Sequence, residues 1–457
     1  MKISPGASLS ALAIAFIINA AQAQIATNSF LTLVKTNGNT VSLTLSNCGN
    51  QVWTVQSSSD LVHWTNVENL KVFNGFYHRN YTNSNGSRLY YRVYYAISSQ
   101  NIADTVSNAL ILPETNFNYS QPVLPASFKN PAIAVQDNTP GINPTTDAGA
   151  TLGRVLFYDK RLSTNQTLAC GSCHQQATAF ADPRRFSVGF NGSAGSRNAM
   201  GLSNARWYER RHFFWDERAN SLESQTLNPI QNPIELGMTL DVLTNRIASE
   251  PFYTNLFAGA FGDSNITTNR IAYALAQFVR SIITTQSRYD IGETQGFTNF
   301  TAEENLGRLL FFGQTSSPGF PAPTCSQCHA SDNFVPALSL NNNGLEYPYV
   351  DLGVGGISGA TNQYGLFKVP SLRNIALTAP YMHDGRFTNL AQVVAFYNSN
   401  IVSGPNLSAP LIGKGGKPLQ LGLSADQQAA LVAFLNTLTD TNLLANPLLS
   451  DPFNYGD

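Results

Sequence analysis

The chain contains the pattern Cys-x-x-Cys-His twice, as CGSCH at positions 170–174 and as CSQCH at positions 325–329. Two thiols three residues apart, followed at once by an imidazole, match the attachment site of a c-type haem, in which the cysteines bond to the porphyrin and the histidine binds the iron. A single copy would also be compatible with a thiol redox pair or with half of a zinc site. Because there are two copies in a chain with only six histidines, we predict two covalently bound haem c groups. The predicted attachment residues are Cys170, Cys173, Cys325 and Cys328, and the predicted proximal iron ligands are His174 and His329.

Both pentapeptides belong to a longer repeat. The segment LGRVLFYDKRLSTNQTLACGSCH at 152–174 is echoed by LGRLLFFGQTSSPGFPAPTCSQCH at 306–329, so each motif follows a helical stretch that carries Leu-Gly-Arg. Helical periodicity also runs through 269–282 and 424–438, where Ser424 is a predicted N-cap. We therefore predict a mainly α chain with two cytochrome-c-like haem domains, the first at 146–295 and the second at 296–457, packed face to face.

The residues before the repeat have a different pattern. Strand-like alternation in FLTLVKT, TVSLTLS and RLYYRVYYA predicts a small all-β sandwich domain at 24–105, and the Pro- and Asn-rich stretch at 106–145 predicts a linker. The first 23 residues, with Lys2, an apolar run and Ala-Gln-Ala, are typical of a signal peptide. We expect an exported protein of the periplasm, with secretion as the second option.

Charge and hydropathy limit the partners. The chain has 27 basic and 28 acidic residues, which gives no field to recruit nucleic acid. No run after the signal peptide reaches the roughly 20 apolar residues of a spanning helix, so no integral membrane segment is expected in the mature chain. Any macromolecular partner has to be recognised by shape and local patches.

Residues 145–445 resemble the di-haem cytochrome c peroxidase family, including its MauG branch. The resemblance rests on CGSCHQQATAFAD, SVGFNGSAGSRNAMGLSNA, FFWDERANSLESQTLNPIQNPIELG and FKVPSLRNIALTAPYMHDGRF. It implies an enzyme in which H2O2 reacts at the haem of the first domain while the haem of the second domain relays electrons. The members of the MauG branch oxidise residues of a partner protein.

The segment 214–237 contains what a peroxidatic site needs. Cleavage of the O–O bond requires a group that takes a proton from one oxygen and returns it to the other, and a carboxylate in an apolar pocket can do both. Glu235 matches the catalytic glutamate of the family, although a glutamate at this point could also cap a helix. Gln225 matches the glutamine of the same distal pocket, and Trp215 matches the tryptophan between the two haems, a role compatible with that of a core aromatic.

Two positions depart from the family pattern. Phe190 stands where ordinary peroxidases of the family place a histidine that blocks the first iron, so we expect this haem to be five-coordinate or to hold a weak water. Glu217 replaces the glycine of Trp-Asp-Gly-Arg, which leaves the local backbone geometry open. His212 is the remaining histidine of this half and could substitute for the missing ligand, but its setting next to Trp215 favours a surface or supporting role.

The second haem needs a further axial ligand. Leu390, Val393, Val394 and Tyr397 recur at helical spacing, which puts Tyr397 on a buried face, where it could simply be a core residue. The MauG branch uses a tyrosine at this position, and the resemblance therefore implies Tyr397 as the ligand. Met382 and His383 are the alternatives.

The resemblance also implies one Ca²⁺ between the haems. Its ligands would be Asn198 and the backbone carbonyls of Thr378 and Pro380, which are oxygen donors as a hard cation requires.

We thus predict an exported di-haem peroxidase of the MauG type that reacts with H2O2 and a redox partner protein, either a small cytochrome c, a cupredoxin or a protein substrate. One alternative is an ordinary cytochrome c peroxidase that removes H2O2 with a small cytochrome or cupredoxin as donor. The other is a di-haem electron-transfer protein without peroxide chemistry, which would need two six-coordinate irons and no role for Glu235.

Overall fold

The computed structural model describes residues 30–37, 40–46, 52–59, 65–71, 76–82, 90–95, 109–315, 325–330, 333–335 and 340–455. The predicted signal peptide lies outside these residues. Within the described part, no helix is both long enough and apolar enough to cross a membrane.

Six strands lie within the range 24–105, namely β1 (Phe30–Asn37), β2 (Thr40–Ser46), β3 (Val52–Ser58), β4 (Thr65–Lys71), β5 (Phe76–Thr82) and β6 (Tyr90–Tyr95). The three segments quoted above correspond to β1, β2 and β6. The strands form two antiparallel three-stranded sheets, one with the order β1-β2-β5 and one with the order β4-β3-β6. The packing of these sheets as a sandwich stays a prediction.

In the described residues from 109 onward, the regular structure is mainly helical and is joined by long loops, with one short pair of strands. The α-helices are α1 (Pro131–Ala134), α2 (Asp147–Tyr158), α3 (Cys170–Cys173), α4 (Leu222–Gln231), α5 (Leu240–Ala248), α6 (Pro251–Phe261), α7 (Thr268–Arg280), α8 (Arg288–Thr294), α9 (Ala302–Phe311), α10 (Cys325–Cys328), α11 (Gly355–Ser358), α12 (Leu390–Ser399) and α13 (Ala425–Asn436). Strands β7 (Leu340–Asn341) and β8 (Phe367–Lys368) pair with each other. Ser424 caps α13 as predicted, since its hydroxyl accepts from the backbone of Gln427.

The sequence repeat is also a packing repeat. Helix α2 crosses α7 and helix α9 crosses α13, and in both pairs the glycine of Leu-Gly-Arg lies at the crossing. A methyl group on Gly153 would come within 1.9 Å of the carbonyl oxygen of Ala274, and one on Gly307 within 1.8 Å of that of Ala430. Each half is therefore built on a backbone-to-backbone helix contact that only glycine permits.

Two buried clusters follow from these crossings. The first contains Leu156 and Phe278, and the second contains Phe311 and Phe434. The first cluster also takes in residues from the other end of the chain, namely Leu443, Leu449 and Phe453. Tyr289 of α8 packs into the second cluster. The fold class is confirmed as helix-rich with small N-terminal sheets, while the domain boundaries given above stay predictions.

The glycine crossing predicts a stability effect. Gly153→Ala should lower the free energy of unfolding by about 2 kcal/mol or more, because the added methyl forces α2 away from α7. Thermal and urea unfolding of the haem-loaded protein would measure the loss. Gly259→Ala in α6 is the control, since a methyl group added there would have nothing within 4 Å, and we expect no loss or a small gain. Equal free energies of unfolding for Gly153→Ala and Gly259→Ala would contradict a close backbone contact between α2 and α7.

Candidate functional site

The first pentapeptide forms a single helical turn. In α3, Cys170 and Cys173 lie at the two ends of the turn, and His174 follows as its C-cap. The ring Nδ1 of His174 lies 2.8 Å from the backbone oxygen of Phe180. An Nδ1–H that donates to a carbonyl fixes the tautomer in which Nε2 is free to bind a metal. Burial lowers the pKa of His174, which favours the neutral, ligating form of the ring.

The second pentapeptide repeats this arrangement. His329 follows α10, and its Nδ1 lies 3.0 Å from the backbone oxygen of Phe334. Burial lowers the pKa of His329 to about 4, so this ring is neutral at physiological pH. Cys170 packs against the first buried cluster and Cys325 against the second. Each thiol pair and its neutral imidazole thus belong to a separate core, which fits two separate haems better than one shared zinc ion.

A large, mostly apolar cavity opens beside the second pentapeptide. Its wall brings Cys325, Cys328 and His329 together with all three candidates for the opposite ligand of the iron. Further residues of the wall are Phe311, Val369, Leu372, Leu390, Val394, Leu421, Leu431 and Leu435. A cavity with apolar walls, two thiols and one neutral imidazole suits a covalently attached porphyrin.

Two of the three ligand candidates converge on one amide. The side-chain nitrogen of Asn343 lies 3.3 Å from the hydroxyl oxygen of Tyr397 and 3.4 Å from the sulfur of Met382. Burial raises the pKa of Tyr397 to about 12, and the hydrogen bond from Asn343 opposes this rise. Binding to ferric iron would lower the pKa of the phenol further, because a metal cation favours the anionic form of its ligand. Asn343 is therefore placed to stabilise a phenolate at this position.

His383, the third ligand candidate, contacts two aromatic rings of the cavity wall. The ring of His383 stacks on Phe367 with a centroid distance of 4.0 Å and an interplanar angle of 15°. Its other neighbour is Trp215, whose ring meets it edge-on at 6.4 Å. His383 is also buried, with 7% of its surface exposed. These contacts favour a role for His383 in the wall beside Trp215, and the ligand assignment to Tyr397 stays a prediction.

The candidate acid–base residue lies in the loop after α4. The carboxylate of Glu235 accepts a hydrogen bond of 2.7 Å from the side-chain amide of Asn232. Burial raises the pKa of Glu235, while Asn232 and Arg218 oppose the rise. Burial raises the pKa of the Cys170 thiol, and the charges of Cys173 and then of Glu235 add to the rise. A half-buried carboxylate with a raised pKa suits a proton shuttle, and the role of Glu235 at the first haem stays a prediction.

Phe190 lies directly against this loop. Its backbone N–H donates to the carbonyl of Glu235 at 2.9 Å, and a methyl group on Gly237 would come within 2.3 Å of its ring. Gly237 has φ +62°, a conformation that glycine adopts without strain. The apolar ring therefore packs against the loop of Glu235, and its effect on the coordination of the first iron stays a prediction. Gln225 is carried by α4, ten residues before Glu235, and its role in the distal pocket stays a prediction.

Trp215 joins the two halves of the molecule. Its indole nitrogen donates to the backbone oxygen of Asn198 at 2.8 Å, and its own carbonyl accepts from Lys368 of β8 at 2.9 Å. Next to it, Asp216 forms an ion pair with Arg197, which also binds Asp351 of the second half. Trp215 lines the cavity beside the second pentapeptide, and these hydrogen bonds and ion pairs hold it there.

Position 217, two residues after Trp215, has a left-handed backbone conformation although its residue is glutamate and not glycine. Glu217 has φ +53°, which costs a non-glycine residue on the order of 1 kcal/mol. Its buried carboxylate accepts hydrogen bonds from the hydroxyl of Tyr208 and from the guanidinium of Arg210. The sequence indicated only that position 217 is unusual, and it contained no signal for its partners.

The proposed cation ligands share the wall of the same cavity. Asn198, Thr378 and Pro380 all line it. The side-chain nitrogen of Asn198 donates to the backbone oxygens of Arg184 and Arg185, which leaves the amide oxygen for a cation. A hard ion such as Ca²⁺ fits three oxygen donors of this kind, and its presence stays a prediction. His212 is exposed, in agreement with its assignment to the surface.

Comparisons with known proteins point to one group. The family model of the di-haem cytochrome c peroxidases matches residues 147–295. The methylamine utilization protein MauG of Methylorubrum extorquens is 32% identical over 69% of this chain and 84% of its own length. The cytochrome c551 peroxidase of Nitrosomonas europaea is 32% identical over 65% of this chain and 82% of its own length. A crystal structure of a MauG-like protein associated with microbial copper homeostasis is similar with 37% identity and a TM-score of 0.60, covering 69% of this chain and 96% of the other.

Proposed function

Because this chain belongs to the di-haem cytochrome c peroxidase family, and is therefore a di-haem peroxidase-type oxidoreductase, we propose that it acts in the manner of MauG and oxidises a partner protein with H2O2. The observation that carries this choice is the phenol of Tyr397, which faces the cavity of the second haem under the amide of Asn343. We further propose that the protein is exported to the periplasm, that both haems are covalently attached, and that one Ca²⁺ lies between them.

The first haem would supply the iron that reacts with H2O2, and the second haem would exchange electrons with it. His174 and His329 would hold the two irons through Nε2, since the Nδ1 of each ring is engaged by a backbone carbonyl. Glu235 takes a proton from one oxygen of H2O2 on its carboxylate and returns it to the other oxygen, and Asn232 orients that carboxylate. Gln225 would assist from α4.

Trp215 provides the connection between the halves. The carbonyl of Asn198 and the backbone N–H of Lys368 fix its position, and the ion pairs of Arg197 resist separation of the loops on either side. An aromatic ring fixed in the wall of the cavity of the second haem is suited to pass electrons toward the first haem.

The choice of a protein substrate follows from the charge of the ligand at position 397. A phenolate stabilises ferric iron and lowers its potential, which is unfavourable for taking electrons from a high-potential cytochrome or cupredoxin and favourable for storing oxidising equivalents. An ordinary peroxidase with such a donor is the second candidate. The observation in its favour is that the sulfur of Met382 shares the amide of Asn343 with Tyr397.

Phe190 provides the test at the first site. We expect the resting diferric protein to contain one high-spin haem and to react with H2O2 without prior reduction, since phenylalanine cannot bind iron. Electron paramagnetic resonance (EPR) of the resting protein and stopped-flow absorbance with H2O2 would measure both.

The matched variant is Phe190→His, which restores the residue that blocks the first iron in ordinary peroxidases of the family. It should convert the high-spin signal to a low-spin one and make the reaction with H2O2 depend on prior reduction. Two low-spin haems in the unmodified protein, with no high-spin signal, would contradict the proposal.

A further inference from the structure

A buried phenol contacts Lys368, a residue bonded to the backbone of Trp215, and it has no part in the reaction as described so far. Tyr208 is 2% exposed, and its hydroxyl donates a hydrogen bond to the carboxylate of Glu217. Arg210 binds the same carboxylate through Nε at 2.8 Å and through Nη2 at 2.6 Å. Burial and the charge of Glu217 raise the pKa of Tyr208, so the phenol keeps its proton at any physiological pH.

Lys368 connects this phenol to the electron path. Its backbone N–H donates to the carbonyl of Trp215, and its Nζ lies 4.3 Å from the centroid of the Tyr208 ring. The same residue lines the cavity of the second haem. One lysine side chain thus spans the gap between the Trp215 backbone and Tyr208.

The surroundings determine how this phenol could be oxidised. Loss of an electron alone would leave a cation on a buried ring that already has the ammonium group of Lys368 beside it, which is unfavourable in a medium of low dielectric constant. Loss of an electron together with the phenolic proton leaves a neutral ring. Glu217 accepts the hydrogen bond of that proton and is the base in place to receive it.

We propose that Tyr208 is a further redox-active residue of the reaction with H2O2, and that Glu217 is its proton acceptor. This inference rests on the proposed function, which supplies the oxidant. H2O2 takes up two electrons and two protons to give two molecules of water, and Tyr208 supplies one of those electrons through the haem pair. Its O–H bond breaks, the proton moves to the carboxylate of Glu217, and a neutral tyrosyl radical remains. The second electron comes from the haem pair, and the two protons come from the solvent. The partner protein of the proposed function then returns one electron to the haem pair and one to Tyr208, which takes its proton back from Glu217.

The chain contains a matched control with similar local chemistry. The hydroxyl of Tyr253 donates to Asp159 at 2.5 Å, and Asp159 is paired with Arg161 at 2.8 Å. Tyr253 is fully buried, but its aromatic neighbours are Phe252 and Phe257 of the first cluster. If a tyrosine bonded to an arginine-paired carboxylate were sufficient for oxidation, both tyrosines would respond to H2O2.

The test uses the full chain with both haems, produced with ring-deuterated tyrosine. After mixing with H2O2 and rapid freezing, we expect a free-radical EPR signal that is narrower than in unlabelled protein. Tyr208→Phe should abolish the tyrosyl signal, and Glu217→Gly should strongly reduce it while relieving the strained backbone. Tyr253→Phe should leave it unchanged. In all variants the haem absorbance should still change on addition of H2O2.

The outcomes separate this inference from the proposed function. A haem absorbance change without a tyrosyl signal, or with a signal that persists in Tyr208→Phe, overturns the role of Tyr208 and leaves the peroxidase function intact. Equal loss of the signal in Tyr253→Phe shows a general effect of removing a buried hydroxyl and also overturns it. No reaction with H2O2 in the unmodified protein refutes both.

Discussion

Replacing Glu235 with glutamine is expected to slow the reaction of the resting protein with H2O2 by about 10² to 10⁴ fold, the contribution of a positioned acid–base group. Glutamine keeps the size and the hydrogen-bonding capacity toward Asn232 but cannot carry the proton. Both haems should remain attached, with unchanged resting spectra. Stopped-flow absorbance after mixing with H2O2 gives the rate.

The pH profile adds a second readout for this variant. Burial raises the pKa of Glu235, and the shuttle needs the ionised form, so the rate in the unmodified protein should fall as the pH decreases through that raised pKa. The Glu235→Gln variant should lack this decrease. The control is Glu303→Gln at an exposed position of α9, which should behave like the unmodified protein. Unchanged kinetics in Glu235→Gln would remove this residue from the mechanism.

Replacing Tyr397 with phenylalanine is expected to open the second iron. The low-spin EPR signature of that haem should become high-spin, while the signal of the first haem stays as it was. A tyrosine that is only a core residue would give a different result, namely a loss of about 1 kcal/mol for one hydrogen bond and an unaltered spectrum. The partner of that bond would be Asn343.

Two further substitutions complete this test. Tyr397→His should keep a low-spin haem but raise its potential, because a neutral imidazole stabilises ferric iron less than a phenolate does. It should also remove the capacity to hold two oxidising equivalents. The number of stored equivalents can be measured by titration with a reductant after one equivalent of H2O2 has reacted. Met382→Leu is the reciprocal control and should leave the spectrum unchanged. A spectral change in Met382→Leu, with none in Tyr397→Phe, would favour the ordinary peroxidase.

The parts of the site that could be predicted are those determined by local covalent chemistry. The two pentapeptides carry their own spacing, and each folds as one helical turn with a histidine at its end, as that spacing requires. The Leu-Gly-Arg repeat likewise indicated two equivalent helices. Why this position must be glycine is visible only in the structure. The carbonyl oxygen that would clash with a methyl group there belongs to the partner helix, more than 120 residues away in the sequence.

Long-range contacts could not be predicted in this way. Lys368 lies 160 positions after Tyr208 and 153 positions after Trp215 in the sequence, and no periodicity links them. The choice among Tyr397, Met382 and His383 also stayed open at the level of sequence, because all three belong to one short segment and all three reach the same cavity. The structure separates His383, which contacts Phe367 and Trp215, from Tyr397 and Met382, which share the amide of Asn343.

The last residues of the described chain close the core that begins around residue 150. The hydroxyl of Tyr158 donates to the carbonyl of Leu449, and Leu110 pairs with Phe453. Contacts of such high sequence separation form late in folding. The second helix crossing can form as soon as α13 has been synthesised, whereas the first core has to wait for the residues after it. The core against which Cys170 packs is therefore complete only once residues 443–453 have been synthesised, so the first pentapeptide is the later of the two to acquire its full apolar surroundings.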